Sequence, residues 1–381
     1  METRTFKNSG LQISLLGMGS MRLPLLSDKP KDIDKKAAFE MVDYACQNGV
    51  NYFDTAHFYH DGESEKVLGE ALFRHPRESF FLATKMPSWA VKVPADAEKI
   101  FQLQLKQCRT DYFDFYLCHN LNKKYYPHYE KHQLMDFLTR MKQQGKIRFL
   151  GFSFHDDPPF LEKICRDHEW DFAQLQLNYL DWELQDAKTQ YEILQKFNLP
   201  CIVMEPVRGG ALADLSPKAN EFFKTAAPDK SVTSWALRYA ASLPNVLTVL
   251  SGMSNMEQLK DNIATLTNFQ PITADQQQVI DRAVAIFKEQ RTVPCTACRY
   301  CMECPSGVDI PGVLRLSNQY ALSKNMWEYF FSYSTLDENT RAHCCTACGV
   351  CVCRCPQGIN IPEQMAAIAA QTAEISNRFG K

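Results

Sequence analysis

Tyr52-Phe53-Asp54-Thr55 is a short run suited to a β-strand, set between two amphipathic stretches, Lys35–Gln47 before it and Ser64–Phe73 after it. Apolar residues recur at three- and four-residue spacing in both flanks, the period of a helix, whereas the run itself is too short to be one. The same unit repeats along the chain. Further runs lie at Leu15–Met18, Phe80–Lys85, Phe113–Cys118, Arg148–Ser153, Ala173–Leu177, Ile202–Glu205 and Leu247–Ser251, with helical segments such as Ala95–Arg109, His132–Gln144, Pro159–Asp167, Asp186–Phe197 and Ser231–Ala241 among them. Strands that alternate with helices pair in parallel. Eight such units in about 250 residues predict an α/β fold, a (β/α)8 TIM barrel over residues 1–270. An open doubly wound sheet fits less well, because no GxGxxG follows the first strand. Gly17-Met18-Gly19-Ser20 reads either as a tight turn or as a weak phosphate signal.

Chemistry in such a barrel sits where the strands end, so the polar residues there are the ones to inspect. The second strand ends at Asp54, the third at Lys85 and the fourth at His119, and Tyr59 follows Asp54 by five residues. A buried lysine beside an aspartate and a tyrosine can lower the phenol's pKa and make it a proton donor or acceptor, while a histidine orients the reacting oxygen. The set suits reduction of a carbonyl or oxidation of an alcohol. Taken singly, Asp54 or Lys85 could equally form a structural ion pair. His57, His60 and His155 lie near the same ends without metal-ligand spacing and read as loop residues facing solvent or substrate. Lys123–Tyr129, long and aromatic, reads as a loop over the pocket or on the surface, and Trp89 could join it.

The last quarter of the chain is different. Cys295-x2-Cys298-x2-Cys301-x2-Cys304-Pro305 and Cys345-x2-Cys348-x2-Cys351-x3-Cys355-Pro356 have the ligand spacing of two 4Fe-4S clusters. Three thiolates at i, i+3 and i+6 reach three corners of one cubane, and the fourth, beside proline, ligates the other. The expected sets are Cys295, Cys298 and Cys301 with Cys355, and Cys345, Cys348 and Cys351 with Cys304. Structural zinc would also accept four thiolates but normally uses two separated CxxC pairs. Disulfides fit poorly, because the start METRTFKNSG has no apolar core of a signal peptide, and a reduced, cytoplasmic setting is expected. Cys344 and Cys353 fall off the spacing. Cys46, Cys108, Cys118, Cys165 and Cys201 read as small core hydrophobes.

The module boundary is placed near Gln270-Pro271, with Asp275–Gln290 as a linking helix and 271–381 as the second domain. About 40 residues separate the cysteine runs, more than a compact two-hairpin ferredoxin needs. Pro311–Tyr333 looks helical, and Ile361-Pro362-Glu363 starts another helix. A small α-helical ferredoxin-like module follows from this. The 381 residues, 45% hydrophobic with a formal net charge of -2, accommodate a large core and a small one. No apolar stretch has membrane-spanning length and no basic block suggests nucleic acid.

Several segments carry a family resemblance. Gly49–Tyr59 (GVNYFDTAHFY), Ala83-Thr84-Lys85, Asp111–His119 (DYFDFYLCH), Gly145–Ser153 (GKIRFLGFS) and Gln174–Tyr179 (QLQLNY) are similar, in order, to aldo/keto reductase motifs across roughly residues 5–270. With the cysteine-rich tail the chain resembles the bacterial branch of that family bearing a ferredoxin-type domain. The resemblance implies Asp54, Tyr59, Lys85 and His119 as the catalytic tetrad, with Tyr59 the acid/base. It implies Ser153 and Gln176 at the nicotinamide carboxamide, and Met204, Arg208, Gly209, Ser251 and Gly252 along the pyrophosphate and adenosine, with Asn262 on the adenine side. NAD(P)H is the expected cofactor beside the clusters, a small carbonyl or alcohol the substrate, and ferredoxin or another redox protein a possible partner. The chain departs from the family at Phe154, where asparagine is usual, and at Met204, where many members stack an aromatic ring. The cations that hold a 2'-phosphate are not evident around Ser251-Gly252-Met253 and Gln258, so the choice between NADH and NADPH stays open. Nicotinamides pass two electrons together and clusters pass one. The clusters could therefore transfer electrons, could be purely structural, or could serve an electron-transfer or interaction protein whose barrel has lost nicotinamide binding.

Overall fold

The computed structural model describes residues 1–290 and 292–378. The chain forms two compact units, one made of Met1–Val207 with Thr233–Thr273, the other of Arg208–Val232 with the chain from Ala274 onward. The first unit opens with an antiparallel hairpin, β1 (Thr3–Thr5) and β2 (Gln12–Ser14). Eight parallel strands then close a barrel: β3 (Leu16–Gly19), β4 (Tyr52–Asp54), β5 (Phe81–Met86), β6 (Phe113–Leu121), β7 (Ile147–Phe154), β8 (Phe172–Gln176), β9 (Cys201–Met204) and β10 (Val246–Ser251), the last pairing with β3. Each overlaps a run expected from the sequence. The helices between them begin where capping chemistry allows: Asp34 accepts from Ala37 N at 3.0 Å, Asp157 from Phe160 N at 3.1 Å and Asn255 from Gln258 N at 2.9 Å. Each side chain satisfies a backbone donor that the first turn leaves without a partner.

Gly17 and Gly19 lie inside β3, and Ser20 begins a short 3-10 turn. A Cβ on Gly17 would stand 2.7 Å from Leu250 Cδ2 and 3.2 Å from Tyr52 Cδ1, so this glycine serves close packing inside the barrel. Ser20 Oγ donates to the Asp54 carbonyl at 2.9 Å, tying that turn to the end of β4.

The hairpin plugs the barrel floor, which the sequence reading did not anticipate. Phe6 is 1% exposed and meets the rings of Phe115 and Phe149 edge-on, at 5.3 and 4.7 Å. Tyr52, Phe172, Ile202 and Leu250 complete the same cluster.

In the second unit the helices are Pro217–Ala226, Ala274–Glu289, Ile310–Ser323, Met326–Ser334 and Ile361–Arg378. A division at 270/271 assigns residues 208–232 to the barrel; instead the helix Pro217–Ala226 packs on Ala274–Glu289. The reason is amphipathic. Ala219 and Phe223 on one helix and Ile280, Ala283 and Phe287 on the other are the buried positions. The helical stretch expected over 311–333 is two helices, broken at Lys324, whose φ of 56° is left-handed. Proline stands in the first turn at Pro311 and Pro362, where a missing N–H costs nothing. Val313, Leu314, Tyr329, Tyr333, Ile361, Met365 and Ile368 form this unit's own core.

Phe6→Ala leaves a cavity at the barrel floor, and denaturant unfolding should show a loss of about 3–5 kcal/mol; a loss within about 0.5 kcal/mol, as for a surface site, would show that the hairpin does not carry the floor.

Candidate active site

The parallel register brings neighbouring strand ends together: Asp54 on β4 stands opposite Ala83 on β5, and Lys85 opposite Leu117 on β6. Lys85, 1% exposed, extends its ammonium to Asp54 Oδ1 and the Thr55 carbonyl, each at 2.7 Å. The same nitrogen lies 5.0 Å from the centroid of the Tyr59 ring. That ring in turn meets His119 nearly perpendicularly, centroids 6.2 Å apart. The four residues expected to act together are therefore neighbours.

Burial dominates their electrostatics. It pulls the Lys85 ammonium below its ordinary pKa, against the opposing pull of Asp54 and Glu65, and it raises the Asp54 carboxyl against Lys85. His119 is driven well below the usual imidazole range, first by burial and then by Lys85, His155 and His57. A neutral imidazole carries one N–H donor and one acceptor. The site thus offers a hydrogen-bond donor for a carbonyl oxygen and a cation beside a phenol, which is what stabilising a developing alkoxide and moving a proton to it require.

A second layer was not foreseen. Glu65, fully buried in the first turn of the helix after Tyr59, accepts from Thr84 Oγ1 at 2.6 Å and Gln104 Nε2 at 2.8 Å. Gln104 also donates to the Lys85 carbonyl at 2.9 Å and accepts from the Tyr116 hydroxyl at 2.5 Å, so this network fixes the strand that carries Lys85. One signal for it was present: Gln104 follows Phe101 by three residues and precedes Cys108 by four, inside the apolar stripe of its helix.

The three loop histidines separate. His57 Nδ1 is 3.4 Å from Glu65 Oε2, while His60 accepts from Leu23 N at 3.1 Å and lies 2.7 Å from the Pro30 carbonyl, a structural lock. Burial pushes His155 down to about 4. The aromatic stretch after β6 is a helix, Tyr126–Lys131, with Tyr126 and Tyr129 buried. The Tyr129 hydroxyl accepts from His119 N at 2.9 Å and donates to the Met86 carbonyl at 2.8 Å. Trp89 stacks on Phe58 at 5.7 Å and approaches His119 at 5.0 Å and Tyr125 at 5.1 Å, forming an aromatic wall beside the four residues.

The residues expected to hold a dinucleotide divide. Ser153 Oγ accepts from Asn120 N at 2.8 Å, Gln176 donates to Asp181 at 2.8 Å, and the Met204 sulfur accepts from Gln174 at 3.5 Å. Phe154 is buried. Gly252 lies beside Arg22, where a Cβ would stand 3.2 Å from its side chain. Asn262 donates to Ser251 Oγ at 3.0 Å, and its own Oδ1 is buried with no hydrogen-bond partner among the described residues. That unfilled acceptor is what an adenine amino group would satisfy. Arg208 and Gly209 lie in the second unit instead. Arg208 donates to Gln357 Oε1 at 3.4 Å, and a Cβ on Gly209 would lie 2.2 Å from the Thr296 carbonyl, so only glycine, here with φ of 65°, permits that approach.

None of the described cysteines is joined in a disulfide. Cys295, Cys298, Cys301 and Cys355 line one cavity with Thr296, Arg299 and Gln357. Burial raises the Cys301 thiol, and Cys298, Cys295 and Cys355 raise it further; Cys351 is raised by burial and then by Cys345, Cys304 and Cys348. The thiols thus gather across the two runs. Among the described residues no group stands at the spacing of ligands to a single ion. A cubane holds its thiolates on four separate corners, which is a wider arrangement than one ion demands. Cys344 and Cys353 point their sulfurs at the carbonyls of Glu338 (3.3 Å) and Val350 (3.4 Å).

Because His119 stays neutral when folded but takes a proton near 6.5 when unfolded, the unfolded state binds more protons below that pH. Stability should therefore fall as pH drops through about 6.5, with a shallower fall in His119→Asn; equal slopes in pH-dependent denaturation would show that His119 titrates normally.

Comparison with known proteins places this geometry. The profile of the aldo/keto reductase family matches residues 15–285. L-galactose dehydrogenase of Arabidopsis thaliana is 26% identical over 298 residues, covering 73% of this chain and 92% of the relative. The NADH-specific methylglyoxal reductase of Escherichia coli is 22% identical, covering 67% and 90%. In fold, the aldo-keto reductase AKR11C1 from Bacillus halodurans in its holo form superposes with a TM-score of 0.60 at 24% identity, covering 74% of this chain and 96% of that one. The thermostable aldo-keto reductase Tm1743 gives 0.62 at 22%, covering 74% and 100%. Strand order, the gathered strand-end residues and these matches lead to one conclusion: the chain belongs to the aldo/keto reductase family.

Proposed function

We propose that this oxidoreductase interconverts a small carbonyl compound and its alcohol in the barrel, and that its second unit, the chain from Ala274 onward with the segment Arg208–Val232, holds two 4Fe-4S clusters that pass electrons to or from a redox partner such as ferredoxin. The observation that carries the reading is the Lys85 ammonium held between Asp54 and the face of Tyr59, with His119 against the same ring. NAD(P)H, when bound, supplies the hydride to the carbonyl carbon. Tyr59 gives its phenolic proton to the oxygen as negative charge develops there. Lys85 favours the phenolate left behind, Asp54 keeps the lysine charged and aimed, and neutral His119 donates a hydrogen bond that orients the carbonyl. Ser153, Gln176, Met204, Ser251, Gly252 and Asn262 are the residues proposed to bind the dinucleotide. The relatives named for a sugar, L-galactose, and for methylglyoxal support a small polar substrate.

Eight thiols in two sets that cross the runs, Cys295, Cys298, Cys301 with Cys355 and Cys345, Cys348, Cys351 with Cys304, support the clusters. Such reduced thiols and clusters suit a cytoplasmic setting. Among the described residues no helix is long and apolar enough to cross a membrane. A second reading is favoured by one observation, the engagement of Arg208 and Gly209 by Gln357 and Thr296. In that reading the barrel no longer binds nicotinamide and the clusters alone exchange electrons.

Anaerobically purified protein should contain about eight irons, as two cubanes require, with zinc in their place overturning the cluster assignment. Tyr59→Phe should lower NAD(P)H-dependent carbonyl reduction by about 10²–10⁴-fold at unchanged iron content. Retained turnover would sink the role of Tyr59, and no response of either wild-type turnover or cluster absorbance to NADH and NADPH would favour the second reading.

A further inference from the structure

Arg208 is 3% exposed, and its backbone sits at φ of 51°, a left-handed conformation that costs an ordinary side chain energy. The guanidinium donates to Gln357 Oε1 at 3.4 Å. Gln357, itself 9% exposed, lines the cavity bounded by Cys295, Cys298, Cys301 and Cys355. The next residue, Gly209, packs on the carbonyl of Thr296, which is 2% exposed and lines the same cavity. Arg208, Gly209, Thr296, Gln357 and the four cysteines all belong to one compact unit. The segment from Arg208 is thus anchored twice to the wall of one thiol-lined cavity.

A cluster in four thiolates is an anion whose reduced form carries one more negative charge, and its potential follows the net charge and hydrogen bonds around it. A buried cation acts through low dielectric and is little screened by salt. Arg208 reaches this cavity through Gln357, whereas Arg299 lines it directly. The Arg299 side chain is 45% exposed, so water weakens its field.

We propose that Arg208 is a positioning residue for electrons: the buried counter-charge that raises the reduction potential of the cluster held by Cys295, Cys298, Cys301 and Cys355, acting alongside Gln357. This rests on the cluster reading above. It makes this cluster easier to reduce than it would be without that charge, and leaves the other cluster's potential unaffected. Gln357, whose oxygen accepts from the guanidinium, links the charge to the cavity wall.

The test uses full-length, anaerobically purified protein, with iron and sulfide counted and each cluster's midpoint followed by EPR during a redox titration. Arg208→Gln should make one cluster at least tenfold harder to reduce, about 59 mV more negative for a one-electron couple, while the other midpoint stays in place. Arg208→Lys should remain near wild type, and Arg299→Gln should shift the midpoint by less than Arg208→Gln does. If Arg208→Gln fails to accumulate, Arg208→Met, which fills similar volume without a polar end to bury, carries the same expectation. A loaded Arg208 variant with both midpoints unchanged, or an equal shift in Arg299→Gln, overturns the proposal while leaving the clusters intact. Wild-type protein without iron removes the cluster reading instead, so the two failures are distinct.

Discussion

The pairing of Lys85 with Asp54 is the constraint on which the barrel's chemistry depends. Both groups are almost wholly withdrawn from water, and a buried charge is tolerated only with a partner and further hydrogen bonds. Removing one member of such a pair typically costs about 3–5 kcal/mol because the other is stranded. Two strands must therefore hold a common register, the Thr55 carbonyl must face the ammonium, and the Glu65, Thr84 and Gln104 network must keep β5 from shifting. The placement of Tyr59 against the same ammonium is a consequence of that rigidity.

Much of this was legible in the sequence, for reasons that differ by element. The eight strands could be read because each parallel strand is short, apolar and followed by a helix of a different period. Asp54, Lys85 and His119 could be read only jointly, because three successive strands each end in a polar residue, whereas Asp54 or Lys85 alone fits a structural ion pair equally well. The N-terminal hairpin could not, since Phe6 and Ile13 look like any isolated apolar residues until the barrel floor supplies their partners. Nor could Glu65 be distinguished from a solvent-facing glutamate in a first helical turn, because its burial depends on Gln104, which lies 39 residues away in sequence.

The segment after β9 shows a different limit. Its glycines match a family pattern for a pyrophosphate, yet the close approach that Gly209 permits is made to the Thr296 backbone. A glycine records that something comes near; it does not record what. Local pattern likewise could not place helix Pro217–Ala226, whose apolar face fits either a barrel or the helix Ala274–Glu289. In the cysteine unit Cys355 lines one cavity with Cys295, Cys298 and Cys301, a meeting of distant residues for which the spacing before proline was the only local cue.

Tyr129 carries one more implication. Its hydroxyl bridges the backbone of His119 and of Met86, so the helix after β6 holds two adjacent strand ends at once. Loops at this end of a barrel are ordinarily where a family varies its substrates while the strands stay put. In this chain a change of length between Leu121 and Tyr129 would move the histidine's main chain as well as the pocket wall. Diversification is therefore channelled toward side-chain replacement at Trp89, Tyr125 and Phe58, and away from insertion or deletion.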